Sequence, residues 1–274
     1  MDTFVQAIVM GIVQGLSEFL PISSSGHLII VPYVFGWTDP FITSLAFSVM
    51  LHIGTLVALL VYFREDWIRL VPAGFAAIRD RTFGGDPDRR LAWLLVVATI
   101  PAAIAGYLLS DTIEAAVREV QWVVVTMVVG AVILWLADAW GGRSKGVEDV
   151  TFPIAGGIGV AQALALIPGF SRSGISISAA RFAGLDREAA ARFSFLMATP
   201  VTAGAAVFEI RKLLTGEAGV DVSAGPLIAG MLAAFVSGMI AIGFMLRYLR
   251  TRSLTIFVVY RIVVAAVVVV VWLR

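Results

Sequence analysis

The sequence predicts an all-α integral membrane protein, an inverted-topology repeat of six transmembrane helices plus two re-entrant helix-loop-helix hairpins. Three observations predict it. Of 274 residues, 59% are hydrophobic and 14% charged, with a mean hydropathy of +0.95, against about half and a quarter in ordinary soluble domains. Six apolar windows are long enough to cross roughly 30 Å of hydrocarbon, which takes about 20 helical residues. Two further apolar stretches are broken in the middle by proline, glycine and serine, and the two breaks match each other.

The first broken stretch is 4–35, interrupted by Pro21 and Ser23-Ser24-Ser25-Gly26. It reads as a hairpin that enters the membrane and leaves by the same side. Spans follow at about 43–63, 91–109 and 121–140, with a loop at 64–90 between the first two. The polar run Gly141-Gly142-Arg143-Ser144-Lys145-Gly146 and the acidic residues after it form a linker. The second broken stretch, 152–182, is interrupted by Pro168-Gly169 and Ser171-Arg172-Ser173-Gly174, and spans at about 189–210, 226–246 and 255–273 complete the chain. Broken backbone survives at membrane depth only where protein or trapped water satisfies its N–H and C=O groups. Both loops are therefore expected to line an internal cavity.

Laying 11–29 over 159–177 without a gap matches Gly11 with Gly159, Gln14 with Gln162, Leu16 with Leu164, Ser23 with Ser171, Ser25 with Ser173 and Gly26 with Gly174. A second overlay sets Phe47-Ser48 on Phe193-Ser194. The chain is expected to be one structural domain of two halves, 1–140 and 151–274, joined by the linker 141–150. Each half has an odd number of spans, so the second inserts upside down relative to the first, and the broken helices meet near the midplane. The 64–90 loop carries Arg64, Arg69, Arg79, Arg81, Arg89 and Arg90. On the same side lie Arg143, Lys145, Arg181, Arg187, Arg192, Arg247, Arg250 and Arg252. That side is cytoplasmic by the positive-inside rule. Only Arg118, Arg211, Lys212 and Arg274 stand near the opposite span ends, so both termini and the first hairpin's mouth should face outward.

With no cysteine there is no disulfide, thiol nucleophile or thiolate metal site, and His27 and His52 are the two imidazoles, which argues against a zinc enzyme. A net charge of +1 without a long basic run gives no reason to expect nucleic acid. Met1-Asp2 offers no basic start for a cleavable signal, so the first segment is expected to belong to the mature fold.

Gln14 and Glu18 are four residues apart and share a helix face one turn below the break at Pro21. An ionisable group in a re-entrant segment is a functional hypothesis by default and needs a cation or a metal as partner. Arg172 is the candidate, because the overlay sets it opposite Ser24; the plainer alternative is a structural Glu18–Arg172 ion pair closing the repeat interface. The serine-rich tips combine small side chains, hydroxyls and helix-start N–H groups, the elements of an anion site, although such residues also serve as ordinary caps and turns. Two such loops converging with one guanidinium, one carboxylate and one imidazole favour phosphate chemistry. His27 is available as a nucleophile toward phosphorus or as a base for a serine or water; its plainer reading is a hydrogen-bonded core residue. His52 lies inside a span without polar company and reads as structural. Arg261, about two turns into the last span, is expected to snorkel to the cytoplasmic face or to bond backbone carbonyls. Asp138 and Glu209 stand at span ends and need no special role.

At these residues the chain resembles, over nearly its whole length, the undecaprenyl-diphosphatase family of bacteria, also called bacitracin-resistance proteins. Gln14-Gly-Leu-Ser-Glu18-Phe-Leu-Pro21-Ile-Ser-Ser-Ser-Gly-His27 is similar to the family's (E/Q)-x-x-x-E motif and the serine-histidine run after it. Pro168-Gly-Phe-Ser-Arg172-Ser-Gly-Ile-Ser176 is similar to its P-G-x-S-R-S-x-x-T motif. The resemblance implies hydrolysis of undecaprenyl diphosphate at the outer face of the bacterial inner membrane, which returns the monophosphate carrier to peptidoglycan and envelope polymer synthesis and confers bacitracin resistance. It also implies a divalent cation, Mg²⁺ or Ca²⁺, with Glu18 as candidate ligand. Carried over residue by residue, Glu18, Ser24, His27 and Arg172 are the catalytic candidates. Gln14, Ser23, Ser25, Gly26, Ser171, Ser173, Gly174 and Ser176 are the substrate-binding ones. Gln at position 14 removes the second carboxylate of a symmetrical metal site, and Ser176 keeps the hydroxyl where threonine is usual. The implied partners are a polyprenyl diphosphate lipid and the surrounding membrane lipids, with a homodimer as a further expectation.

Phosphoryl transfer asks a protein chiefly to position the nucleophile and neutralise charge on the equatorial oxygens. His27 is preferred as the reacting group because Ser24 would itself need a base, but the sequence leaves both open. The competing reading is an inverted-repeat transporter or flippase for a polyprenyl phosphate lipid. A channel would need a continuous polar stripe, which no span carries.

Overall fold

The computed structural model describes residues 2–117, 119–142, 144–214 and 224–274, with side chains for all of these except 110–117 and 208–214. The side chains of Arg118, Arg143, Glu209, Arg211 and Lys212, named above, lie outside what is described. In chain order the helices are α1 (Thr3–Phe19), α2 (Ser24–Phe35), α3 (Leu45–Tyr62), α4 (Arg64–Asp80), α5 (Pro87–Val117), α6 (Val120–Trp140), α7 (Phe152–Ala163), α8 (Arg172–Phe182), α9 (Arg187–Leu214), α10 (Ala224–Leu249) and α11 (Thr255–Trp272). Apart from one isolated bridge between Lys145 and Leu185, no strand pairing occurs among the described residues.

Six of these helices, α3, α5, α6, α9, α10 and α11, are long and apolar enough to cross a membrane, and each begins within a few residues of a predicted window. The chain is a multi-pass membrane protein. Its outward faces are apolar: Val132 on α6 and Leu232, Val236 and Ile240 on α10 remain exposed, as they should where lipid is the solvent. Inside, Phe19, Phe63, Phe193, Phe195, Leu196 and Met245 belong to one buried cluster.

Between membrane helices, close approach needs small residues. A Cβ on Gly11 or Gly15 would collide with backbone carbonyls of α10, and one on Gly159 with the carbonyl of Ala98 on α5. So α1 lies against α10 and α7 against α5, while α3 touches both α9 and α10, and α6 touches α11. Both broken stretches restart in the same way. Ser23 (φ 75°) caps α2 by accepting the Gly26 N–H at 3.2 Å, and Ser171 (φ 74°) caps α8 by accepting that of Gly174 at 3.1 Å. A positive φ is rare for serine, and here the cap bond of each residue holds it.

Two expectations need correction. The 64–90 segment is not all loop, because α4 fills its first half. Leu70 and Ala77 are buried while Ile68, Val71, Phe75 and Ile78 stay exposed and apolar. The charged residues among them hold the average hydropathy below that of a span, which is the pattern of a helix lying along an interface. Asp66 fastens it to α9 through Arg192 at 2.7 Å. Asp138 does have a role: buried at the end of α6, it accepts from Arg187 Nε at 2.6 Å and from the backbone N–H of Leu254 at 3.0 Å, tying down the starts of α9 and α11.

Candidate active site

The end of α1, the starts of α2 and α8, the end of α7 and the middles of α3, α5 and α9 line a cavity of about 200 Å³ whose polar walls include Glu18, Ser24, His52, Gln162, Arg172 and Thr202. That is smaller than the roughly 300–1,000 Å³ of pockets for drug-sized ligands, so it suits a head group rather than a lipid tail. Glu18, 6% exposed, is its hub. Oε1 pairs with Arg172 Nη2. Oε2 accepts from Ser24 Oγ at 2.5 Å and from Gln14 Nε2 at 3.1 Å, and faces His52 Nε2 at 3.4 Å. The other arm of the Arg172 fork donates to Thr202 Oγ1 at 2.5 Å.

Helix geometry produces this meeting. Glu18 sits in the last turn of α1, and the extended backbone at Leu20 reverses the chain so that Ser24, the first residue of α2, returns to it. Arg172 is the first residue of α8 and occupies the corresponding position after the second break. Two helix N-termini thus start beside the cavity, and their first-turn N–H groups and dipoles favour an anion.

His27 is turned elsewhere. Its Nδ1 bonds the carbonyl of Ser23 at 2.7 Å, which can only accept, so Nδ1 carries the proton and Nε2 accepts from the Tyr260 hydroxyl at 2.8 Å. The ring is buried and stacked on Tyr260, and it is not part of the cavity wall. His52 corrects the reading of an isolated structural residue. Its Nδ1 donates to Ser48 O at 2.8 Å, leaving Nε2 facing Glu18 in the cavity. Span periodicity says nothing about which residues of other helices meet a position, so His52 had no local signal. Gln162, another wall residue, was visible in the overlay only as the match of Gln14.

Of the substrate-binding candidates, Ser25 lines the cavity; Gln14 reaches it through Glu18. The remaining candidates build the loops. Ser23 and Ser171 are caps, Ser173 donates to Leu20 O at 3.1 Å, and Ser176 bonds Arg172 O at 2.7 Å and Ser194 Oγ at 2.6 Å. Gly26 and Gly174 leave room for the caps Ser23 and Ser171. Arg261 is fully buried and does not snorkel. It donates to the carbonyls of Pro21 and Phe170 at 3.3 and 3.1 Å and of Gly169 at 2.8 Å, with Met127 at 3.0 Å and Thr126 at 3.4 Å, so one guanidinium holds both loops to α6.

The donors do not fit a metal held by protein alone. Among the described residues, Glu18 is the one carboxylate on the wall, both its oxygens are engaged, and no group of three or more His, Asp or Glu comes together. Mg²⁺ and Ca²⁺ ask for six or more oxygens.

Comparison with known proteins agrees with these motifs. The family model described as bacitracin resistance protein BacA matches residues 7–267. Undecaprenyl-diphosphatase of Desulforudis audaxviator is 45% identical over 266 residues, 97% of each chain, and that of Moorella thermoacetica is 45% identical over 273, 99% of each. The protein of the same name from Rubrobacter xylanophilus is 46% identical over 267 residues, 96% of each. With a family model spanning almost every residue and relatives matched end to end, the chain belongs to the bacitracin resistance protein BacA family.

Proposed function

We propose that this chain is a membrane undecaprenyl-diphosphatase, cleaving the phosphoanhydride of undecaprenyl diphosphate to release inorganic phosphate and leave undecaprenyl phosphate. The observation that carries the reading is the hydroxyl–carboxylate–guanidinium chain in which Glu18, at the end of α1, joins Ser24 and Arg172 at two helix starts, in a chain whose relatives bear that name. Ser24 Oγ attacks the terminal phosphorus as Glu18 Oε2 takes its proton. The bond from that phosphorus to the bridging oxygen breaks, and the electron pair leaves with the lipid monophosphate, which receives the proton from Glu18. Glu18, again a carboxylate, draws a proton from the water that cleaves the phosphoserine, and the serine oxygen takes that proton back as phosphate departs.

Proton transfer and charge stabilisation are coupled here. While ionised, Glu18 holds Arg172; once protonated it holds it weakly, freeing the fork for the equatorial phosphoryl oxygens when their charge grows. His27 acts by position, since its bonds to Ser23 and Tyr260 fix the first turn of α2. Mg²⁺ or Ca²⁺ belongs in this scheme as a counter-ion carried in on the diphosphate, not as a resident of Glu18.

The same reading takes α1–α2 and α7–α8 as re-entrant hairpins of an inverted repeat, 1–140 and 151–274 about the linker 141–150. The matched serine caps support it, and so do the contacts, since α1 on α10 answers α7 on α5 and α3 with α10 answers α9 with α5. The arginine asymmetry supports an inner-membrane protein whose cavity opens to the outer face. Phosphate release from polyprenyl diphosphates by the detergent-purified protein tests the function; a flippase would release none.

A further inference from the structure

Among the described residues, Gln162 has no partner for either amide atom. It lies on α7, is 2% exposed, and forms part of the cavity wall with Glu18, Ser24 and Arg172, yet neither Oε1 nor Nε2 makes a hydrogen bond to any of them. Buried amides are nearly always paired, and an unpaired one weakens the fold. Its match in the first half, Gln14, shows what such an amide does when an acceptor is present, donating to Glu18 one turn along the helix at 3.1 Å. In the second half the residue one turn along is Leu166, which also lines the cavity and has no acceptor to offer. The backbone that carries Gln162 is fixed, because Gly159 one turn earlier sits against the Ala98 carbonyl of α5.

We propose that Gln162 is a substrate-contact residue whose Nε2 donates to an oxygen of the diphosphate head group, the acceptor its own half of the chain lacks. The assignment rests on the diphosphatase reading of the same cavity. Nε2 brings two donors without charge, which suits a polyanion already facing one guanidinium, and Oε1 accepts from the water that accompanies the head group. The cavity thereby gains a further polar anchor besides Glu18 and Arg172.

The test compares purified full-length wild type with Gln162→Leu and Gln162→Glu, measuring the Kd for inorganic pyrophosphate by calorimetry, kcat and KM on a polyprenyl diphosphate, and the thermal midpoint in detergent. Gln162→Leu is expected to be at least as heat-stable as wild type, since it deletes an unpaired buried amide. Its pyrophosphate affinity and kcat/KM should each fall about tenfold or more, the loss for one hydrogen bond to a charged group. Gln162→Glu, which sets a carboxylate against the diphosphate, should fall further, and it decides the matter if Gln162→Leu does not fold. Either variant within about twofold of wild type in both readouts would overturn the assignment. So would a heat-sensitive Gln162→Leu of unchanged affinity, or a wild type that does not bind pyrophosphate. A wild type that binds pyrophosphate through Gln162 but releases no phosphate from the lipid would sink the diphosphatase reading and leave the contact standing.

Discussion

The Ser24 hydroxyl donates to Glu18 Oε2 across 2.5 Å, although a helix break lies between them. A serine so placed has a carboxylate in contact to act as its base, and it becomes the expected nucleophile. Ser24→Ala should lose turnover by several orders of magnitude while remaining folded, as removal of a nucleophile does elsewhere. Quenched wild type should carry an acid-stable phosphate that disappears in Ser24→Ala. An acid-labile phosphate would instead put phosphorus on a histidine.

Arg172 should resist even a conservative exchange. Its fork spans Glu18 on one arm and Thr202 on the other, and lysine keeps the charge without the planar pair of donors. Arg172→Lys is expected to fold normally and lose on the order of 10²-fold in kcat, by analogy with removal of one oxyanion donor. Near-normal turnover would reduce the residue to a counter-ion of Glu18.

For His27 the structure points to a milder outcome. Both ring nitrogens are committed, to Ser23 and to Tyr260, so His27→Gln should retain measurable turnover, reduced roughly tenfold. Tyr260→Phe should cost about 1 kcal/mol of stability, the usual worth of one hydrogen bond. If folded His27→Gln has no turnover at all, its imidazole is needed in the reaction itself.

How far the sequence could be read follows from where each signal is stored. The six spans and the two breaks were legible because hydropathy and proline-glycine-serine punctuation are local. The Glu18–Arg172 contact, which joins residues 154 apart, was legible only because the overlay aligned the two loops. His52 and Tyr260 meet their partners through helix packing that no local pattern encodes, and α4 was missed because its charges mask its apolar face. Arg261 showed that a cation in a span belonged inside or at an edge, but not that five carbonyls awaited it.

Those carbonyls make Arg261 a stability prediction. Its guanidinium donates to Pro21 of the first loop, to Gly169 and Phe170 of the second and to Thr126 and Met127 of α6. Arg261→Met takes this donor from the loop carbonyls of Pro21, Gly169 and Phe170 and should destabilise the protein by several kcal/mol, at about 1–3 kcal/mol for each buried carbonyl left unsatisfied. Thermal unfolding in detergent measures it. Arg250→Ala, which removes an exposed pair with Glu188, is the control and should leave the midpoint unchanged.

The orientation in the membrane can be tested with cysteines, because the chain has none of its own to interfere. Thr38, in the exposed turn between α2 and α3, follows a hairpin proposed to leave by the outer face. Gly84 lies between α4 and α5 on the arginine-rich side, and a side chain added there meets nothing within 4 Å, unlike neighbouring Gly85, whose φ of 89° would strain any other residue. Thr38→Cys should therefore react with a membrane-impermeant thiol reagent in intact cells, while Gly84→Cys should react only after lysis. Since α3 is the one helix between these sites long and apolar enough to cross a membrane, labelling of both in intact cells would mean that α3 does not cross. The reverse pattern would turn the whole protein over, set the first hairpin's mouth in the cytoplasm, and require the diphosphate to reach Ser24 from inside.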